Sequence, residues 1–274
     1  MSFCTRFGLF SGVYLFLAVP AAADIQAGVA ALEKGDVETA AKEFQSSFDE
    51  GDANGAFYLG RMFELGLGTD PDLRQAAELY KVSAEQGSAL AMNRLGLMYL
   101  DGQTVIRDFQ HGAELVCKAA DLGEDNAQFN CGAVYNEGKG VPKDPGKAIE
   151  YWQKASDQGH IAATNFLGLA YKTGDGVDAD PVKAFTLFAK TAEQGNPMGL
   201  YETALAYETG RGTDADKVKA YTNANIAAAR GHPEAPALRD RIEQTLTPEQ
   251  ITSGQVAARD WIAAAEKAAA EQGN

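Results

Sequence analysis

The chain has 274 residues, 45% of them hydrophobic, enough apolar material for one continuous core without a second domain. Its formal net charge is −14, from 24 basic and 38 acidic residues. That balance argues against nucleic acid and anionic lipid as partners, since both call for a cationic footprint, and it favours simple solubility.

Residues 1–23 read as an export signal. Arg6 supplies a short positive region, the run from Phe7 to Pro20 is apolar, and Ala21-Ala22-Ala23 offers a small-residue cleavage pattern before Asp24. A membrane anchor needs roughly 20 uninterrupted apolar residues, whereas this run is shorter and holds Gly8, Ser11 and Gly12. Cleavage after Ala23 is therefore expected, with a retained anchor as the alternative, and Cys4 leaves with the signal. The remainder has no other long apolar run, so a periplasmic or secreted protein without membrane insertion is expected.

Residues 24–52 read as an N-terminal capping hairpin, with LEKGD as its turn and Val37, Ala40, Ala41, Phe44 and Phe48 on its second helix. Five copies of one pattern follow at a spacing of 36 residues, over 53–88, 89–124, 125–160, 161–196 and 197–232. Small residues recur at Gly60, Gly96, Gly132, Gly168 and Ala204, aromatics at Phe63, Tyr99, Tyr135, Tyr171 and Tyr207, and glycines at Gly66, Gly102, Gly138, Gly174 and Gly210. A fixed period in the range of about 20 to 50 residues is the mark of a solenoid, whose units stack because none buries its apolar face alone.

Within one copy, residues 53–65 carry the i, i+3, i+4, i+7 stripe of an amphipathic helix in Ala56, Leu59, Gly60, Met62 and Phe63. Gly66 suits the left-handed position past a helix end, and Asp72 can cap a second helix running from about Leu73 to Gln86. The unit is a helical hairpin. Residues 233–274 read as a C-terminal cap: APALRDRIEQTL forms one helix, and Thr247-Pro248-Glu249-Gln250 forms a capping box opening another, with Trp261 as anchor. After about Ala265 the apolar face is lost and fraying is expected.

The strings YLGRMFELGLGTD, RLGLMYLDG, YNEGKGVPKDPGKAIEYWQKASDQG and FLGLAYKTGDGVDADPVKAFTLFAKTAEQG resemble the Sel one-like repeat, a relative of the tetratricopeptide repeat, and the segment from KAYTNANIAAARGHPEAP to Trp261 resembles a terminal cap of bacterial members. Two departures are Thr203-Ala204 in place of Leu-Gly, and Cys131 where leucine is usual. The resemblance implies an all-α, right-handed α-α superhelix that serves as a protein-interaction platform. Periplasmic members are associated with tuning sensor kinases, exopolysaccharide secretion and envelope assembly, and a cysteine-rich branch with penicillin binding or weak β-lactamase-like activity.

In such stacks the first helix of each hairpin lines the concave face. Projected onto this chain, that register selects Asn54, Phe57, Arg61 and Glu64, then Asn93, Leu97 and Leu100, then Asn126, Phe129 and Asn136, then Asn165 and Lys172, and finally Met198, Tyr201 and Glu208. One register alternates Phe57, Asn93, Phe129, Asn165, Tyr201. Aromatics offer contact area and asparagine both donates and accepts, the mixture that holds an extended segment. The competing reading is that this register packs only against the neighbouring helix.

Cys117 and Cys131 remain after signal removal, an even count for an oxidising compartment. Each lies seven residues from Glu124, which places them at matching heights on adjacent helices. Lys81, Gln153, Ala189 and Asn225 share the register of Cys117, which argues that it points outward, and a bond needs α-carbons within about 7 Å. A disulfide and a free buried thiol both stand as expectations.

No catalytic constellation is present: no Gly-x-Ser-x-Gly, no His-Glu-x-x-His, no Cys-x-x-Cys, and no serine with a lysine three residues on. His111, His160 and His232 fall at helix starts or turns, where capping is commoner than metal binding, and Gly138-Lys139-Gly140 and Gly174-Asp175-Gly176 recur as inter-helix turns rather than phosphate or calcium loops. The expectation is an exported, non-enzymatic adaptor or regulator without metal or cofactor, binding an envelope protein or peptide. The alternatives are a β-lactamase-like or penicillin-binding protein of the cysteine-rich type, and a structural component of a secretion or polysaccharide assembly.

Overall fold

The computed structural model describes residues 24–272, and the expected export signal lies outside them. Among the described residues there are fourteen α-helices and no strand. The N-terminal hairpin pairs α1 (Ile25–Glu33) with α2 (Val37–Asp49). Five hairpins follow: α3 (Ala53–Leu65) with α4 (Leu73–Glu85), α5 (Ala89–Asp101) with α6 (Phe109–Asp121), α7 (Asp125–Glu137) with α8 (Pro145–Asp157), α9 (Ile161–Thr173) with α10 (Pro181–Glu193), and α11 (Pro197–Thr209) with α12 (Lys217–Ala229). The chain closes with α13 (Ala235–Glu243) and α14 (Pro248–Gln272).

Each boundary has a local cause. The first helix of each of the five repeat hairpins ends on a glycine in the left-handed region, at φ 68° to 82° over Gly66, Gly102, Gly138, Gly174 and Gly210. Asp72, Asp108, Asp144, Asp180 and Asp216 then accept a backbone N–H from the first turn of the second helix, satisfying one of its free donors. Thr247 and Gln250 make the reciprocal bonds of a capping box at 2.9 and 3.3 Å.

Inside each hairpin the small residue of the first helix is matched in size to a partner 20 positions later. Gly60 faces Tyr80, Gly96 faces Val116, Gly132 faces Trp152 and Gly168 faces Phe188, so closely that an added Cβ would lie 2.3 to 2.7 Å from the opposing side chain. In the fifth hairpin Ala204 shares a cluster with Ala224, both fully buried. Where the glycine becomes alanine, the large partner also becomes alanine, and spacing is kept.

First helices of successive repeats touch, α3 with α5 and α5 with α7, while no pair of second helices comes as close. The stack therefore curves towards its first helices, which line the inner surface. At one edge, Gly140 lies where a Cβ would come within 1.9 Å of the Phe109 carbonyl, and Gly212 within 2.0 Å of that of Pro181. These glycines nest each loop on the preceding second helix. The second repeat has Thr104 at this register, and a pocket of about 470 Å³ opens there beside Leu73, Leu97 and Met98.

The C-terminal lid forms where Gly254 of α14 meets the Tyr221 ring and where half-buried Trp261 stacks under the Arg230 guanidinium at 5.3 Å. The expected fraying after Ala265 does not occur: α14 stays helical to Gln272. Its last turns, AAAEKAAAEQ, are rich in alanine, the strongest helix former, and need no apolar face to persist.

Candidate functional site

The alternating register on the first helices meets the start of the next repeat. Each of its residues lies 31 positions before the residue that caps or precedes the following helix. Phe129 stacks on His160 at 4.8 Å, and Tyr201 stacks on His232 at 4.1 Å. Asn93 donates to Glu124 at 3.0 Å, and Asn165 donates to Asn196 at 2.9 Å. Aromatic meets imidazole and amide meets carboxylate or amide. In the first repeat Ser88 instead donates to Asn54 at 2.7 Å, and Phe57 packs against Tyr80.

This geometry corrects part of the expected surface. Asn93 and Asn165 are 8% and 4% exposed, and their amides also accept from Asn130 and Thr191, so they are interior junction residues. Leu100 is likewise buried. Phe57, Phe129 and Tyr201 are half-buried, each with one face on its neighbour. Asn126 is exposed and bonds locally to Glu124 and Asp125. Asn136 and Met198 stay half-buried on the inner side. The histidines have a role beyond capping: His160 accepts the Ala163 N–H and joins two repeats through Phe129. The chain itself carried the signal, because residues 93, 129, 165 and 201 change in step with 124, 160, 196 and 232.

A second row forms ion pairs across repeats. Glu64 receives Arg61 at 2.9 Å, Arg94 through its Nε and Nη2, and the Tyr80 hydroxyl at 2.5 Å. Burial disfavours its charged form, but the bonds from Arg94 and Tyr80 and the charges of Arg94 and Arg61 prevail, holding its carboxyl below the usual range. Lys172 pairs with Glu202 at 2.5 Å and Arg241 with Glu208 at 2.7 Å. Burial, then the bond to Glu234, pushes the Tyr201 phenol up to about 12.

A third row takes no part in either set. Leu97, Ala133, Leu169 and Leu205 occupy one register of four successive first helices, all half-buried, and Phe166 beside them is 39% exposed. Leu97 lines a pocket together with Arg94, and Leu205 lines one together with Lys172 and Glu202.

The Sel1 repeat pattern matches residues 53–88, 89–124, 125–160, 161–196 and 197–232. The chain belongs to the Sel1 repeat family. It is similar in structure to a Sel1 repeat protein from Oxalobacter formigenes, with TM-score 0.73 and 24% identity over 89% of this chain and 97% of that one. It is also similar to a protective antigen of uropathogenic Escherichia coli strains with an SLR fold, with TM-score 0.57 and 25% identity over 87% of this chain and 60% of that one. No curated protein matches the sequence. The fold is the right-handed α-α superhelix of the family.

In this Sel1 repeat protein Cys117 of α6 is bonded to Cys131 of α7, with α-carbons 5.0 Å apart. The register of Cys117 had pointed outward, but fully or almost fully buried Ala119, Ala120 and Ala127 bring the two helices together near their turn. The bond therefore ties repeat 2 to repeat 3. Among the described residues no three His, Cys, Asp or Glu side chains are grouped so as to hold a metal ion, and no helix is long and apolar enough to cross a membrane.

Proposed function

We propose that this Sel1 repeat protein is exported and acts outside the cytoplasm as a non-catalytic adaptor, holding a segment of another envelope protein along its inner surface. The observation that carries this reading is the aliphatic row Leu97, Ala133, Leu169, Leu205 with Phe166. Junction packing and ion pairing occupy the neighbouring inner registers, whereas the side chains of this row remain half-open. A line of apolar side chains bordered by charged pairs has the layout of an interface core with a polar rim. The reading of residues 1–23 as a cleaved signal supplies the location.

Photo-reactive side chains placed at Leu97 and Leu169 test the surface in cells, with Val82 and Lys118 on second helices as controls. One dominant crosslinked protein from the inner positions alone is the expected result. Equal labelling from both sets, or none, would remove the adaptor reading. N-terminal sequencing of the protein from the periplasmic fraction is expected to begin at Asp24, and a retained Met1 in a cytoplasmic fraction contradicts export.

A further inference from the structure

A small, mostly apolar pocket lies where repeats 4 and 5 meet. Between repeats 4 and 5 a pocket of about 220 Å³ is lined by Pro181, Ala184, Phe185 and Phe188 of α10 and by Leu205 and Ala206 of α11. Two of its lining positions carry residues unlike certain counterparts in other repeats. Ala206 stands at the register where repeats 1 and 2 bury Met62 and Met98. Glu202 stands where repeat 4 has Phe166, whose ring covers Trp152 at 5.1 Å. The pocket opens to solvent, and its volume suits one large apolar side chain.

The mouth carries charge of one net sign. Lys172 and Glu202 neutralise each other across it at 2.5 Å. Arg211 also lines the pocket, donates one N–H to the Lys172 carbonyl at 3.0 Å, and forms no ion pair. Its guanidinium has five donors, and among the described residues it makes no ion pair. An exposed guanidinium without an ion-pair partner, set beside an apolar pocket, suits a ligand that joins a carboxylate to an apolar group.

We propose that this pocket binds the C-terminal residue of a partner polypeptide, its apolar side chain against Phe185 and Phe188 and its terminal carboxylate on Arg211. This names an anchor for the partner and rests on the adaptor reading. A chain end fits the charge because only there does a polypeptide place a carboxylate one bond from the α-carbon that carries the side chain.

The probes are acetyl-Gly-Gly-Gly-Phe with a free carboxylate, the same peptide as its amide, and free 3-phenylpropanoate, titrated calorimetrically into the exported chain. The acid peptide is expected to bind at least about tenfold more tightly than the amide, as a charge-assisted bond implies. Arg211→Gln should remove that ratio. Ala206→Met, which installs the residue used at this register in repeats 1 and 2, should abolish binding of both peptides while the helical circular dichroism is unchanged. Equal affinity of acid and amide, no saturable binding of either, or binding that survives Ala206→Met overturns the proposal. Binding of 3-phenylpropanoate as tight as that of the acid peptide assigns the pocket to a small free acid and overturns the chain-end assignment. The adaptor reading fails separately: crosslinking at Leu97 and Leu169 that persists in Ala206→Met leaves that reading standing and removes only this anchor.

Discussion

The third and fifth repeats meet the same packing requirement in opposite ways. In the third, Gly132 leaves room for Trp152, whose indole N–H also donates to the Phe129 carbonyl at 3.1 Å, and a disulfide binds the first helix of the repeat to its predecessor. In the fifth, Ala204 and Ala224 meet with little side-chain volume between them, and an open apolar pocket lies beside Ala206. The period is identical, yet one repeat is filled and crosslinked and the other is underfilled. Repeat architecture conserves spacing between helices; how the space inside each hairpin is filled is free to vary.

Removing the large partner in the filled repeat should have the greatest effect. Trp152→Ala is expected to cost about 3–5 kcal/mol, read as a shift in urea midpoint, through cavity formation and loss of its hydrogen bond. Reduction of Cys117–Cys131, or Cys117→Ser with Cys131→Ser, should cost roughly 3 kcal/mol on the loop-entropy model for a loop of this length. A melting temperature that is the same with and without dithiothreitol would show that the bond adds nothing to the second and third repeats.

Gly132→Ala sharpens the contrast. Helix propensity favours alanine by about 0.5–1 kcal/mol, but the new Cβ would lie 2.3 Å from the Trp152 indole nitrogen, and overpacking of a rigid core costs about 1–3 kcal/mol. Net destabilisation is expected. Ala204→Gly in the fifth repeat should cost only the ordinary helical penalty of about 1 kcal/mol, with no clash to add or relieve. Equal thermal shifts of Gly132→Ala and its counterpart Gly60→Ala with any change at Ala204 in the same direction and size would erase the distinction between filled and underfilled repeats.

The smallest expected effect is at the first ion-pair group. The Glu64 carboxyl titrates below its ordinary value of 4.5, so its contribution is present at neutral pH and is lost as pH falls through its lowered folded value. Glu64→Gln should therefore destabilise the protein near pH 7 and converge on the parent in acid. Parallel melting curves for the two proteins across that range would show that Arg61, Arg94 and Tyr80 do not hold the carboxylate.

Much of the fold was legible in the chain because it is local and repeated. Gly66 and its counterparts require the left-handed conformation, Asp72 and its counterparts cap the next helix, and both signals depend on a few neighbouring residues. The binding register was less legible. Asn93, Phe129 and Asn165 looked like one stripe on a helix surface, and a helical wheel could not reveal that Glu124, His160 and Asn196 cover them. Those partners lie 31 residues away, across an interface that exists only after the repeats have stacked.

The sequence by itself determined the helical hairpin, its 36-residue period and the caps at either end, because side-chain periodicity, glycine stereochemistry and carboxylate capping act within one or two turns. Tertiary structure alone decided that Cys117 reaches Cys131, that Asn93 and Asn165 are interior, that Leu97, Ala133, Leu169 and Leu205 stay half-open, and that a pocket lies beside Ala206 at the fourth junction. Each of these depends on the size and distance of a side chain on another helix, and a linear pattern does not contain that distance.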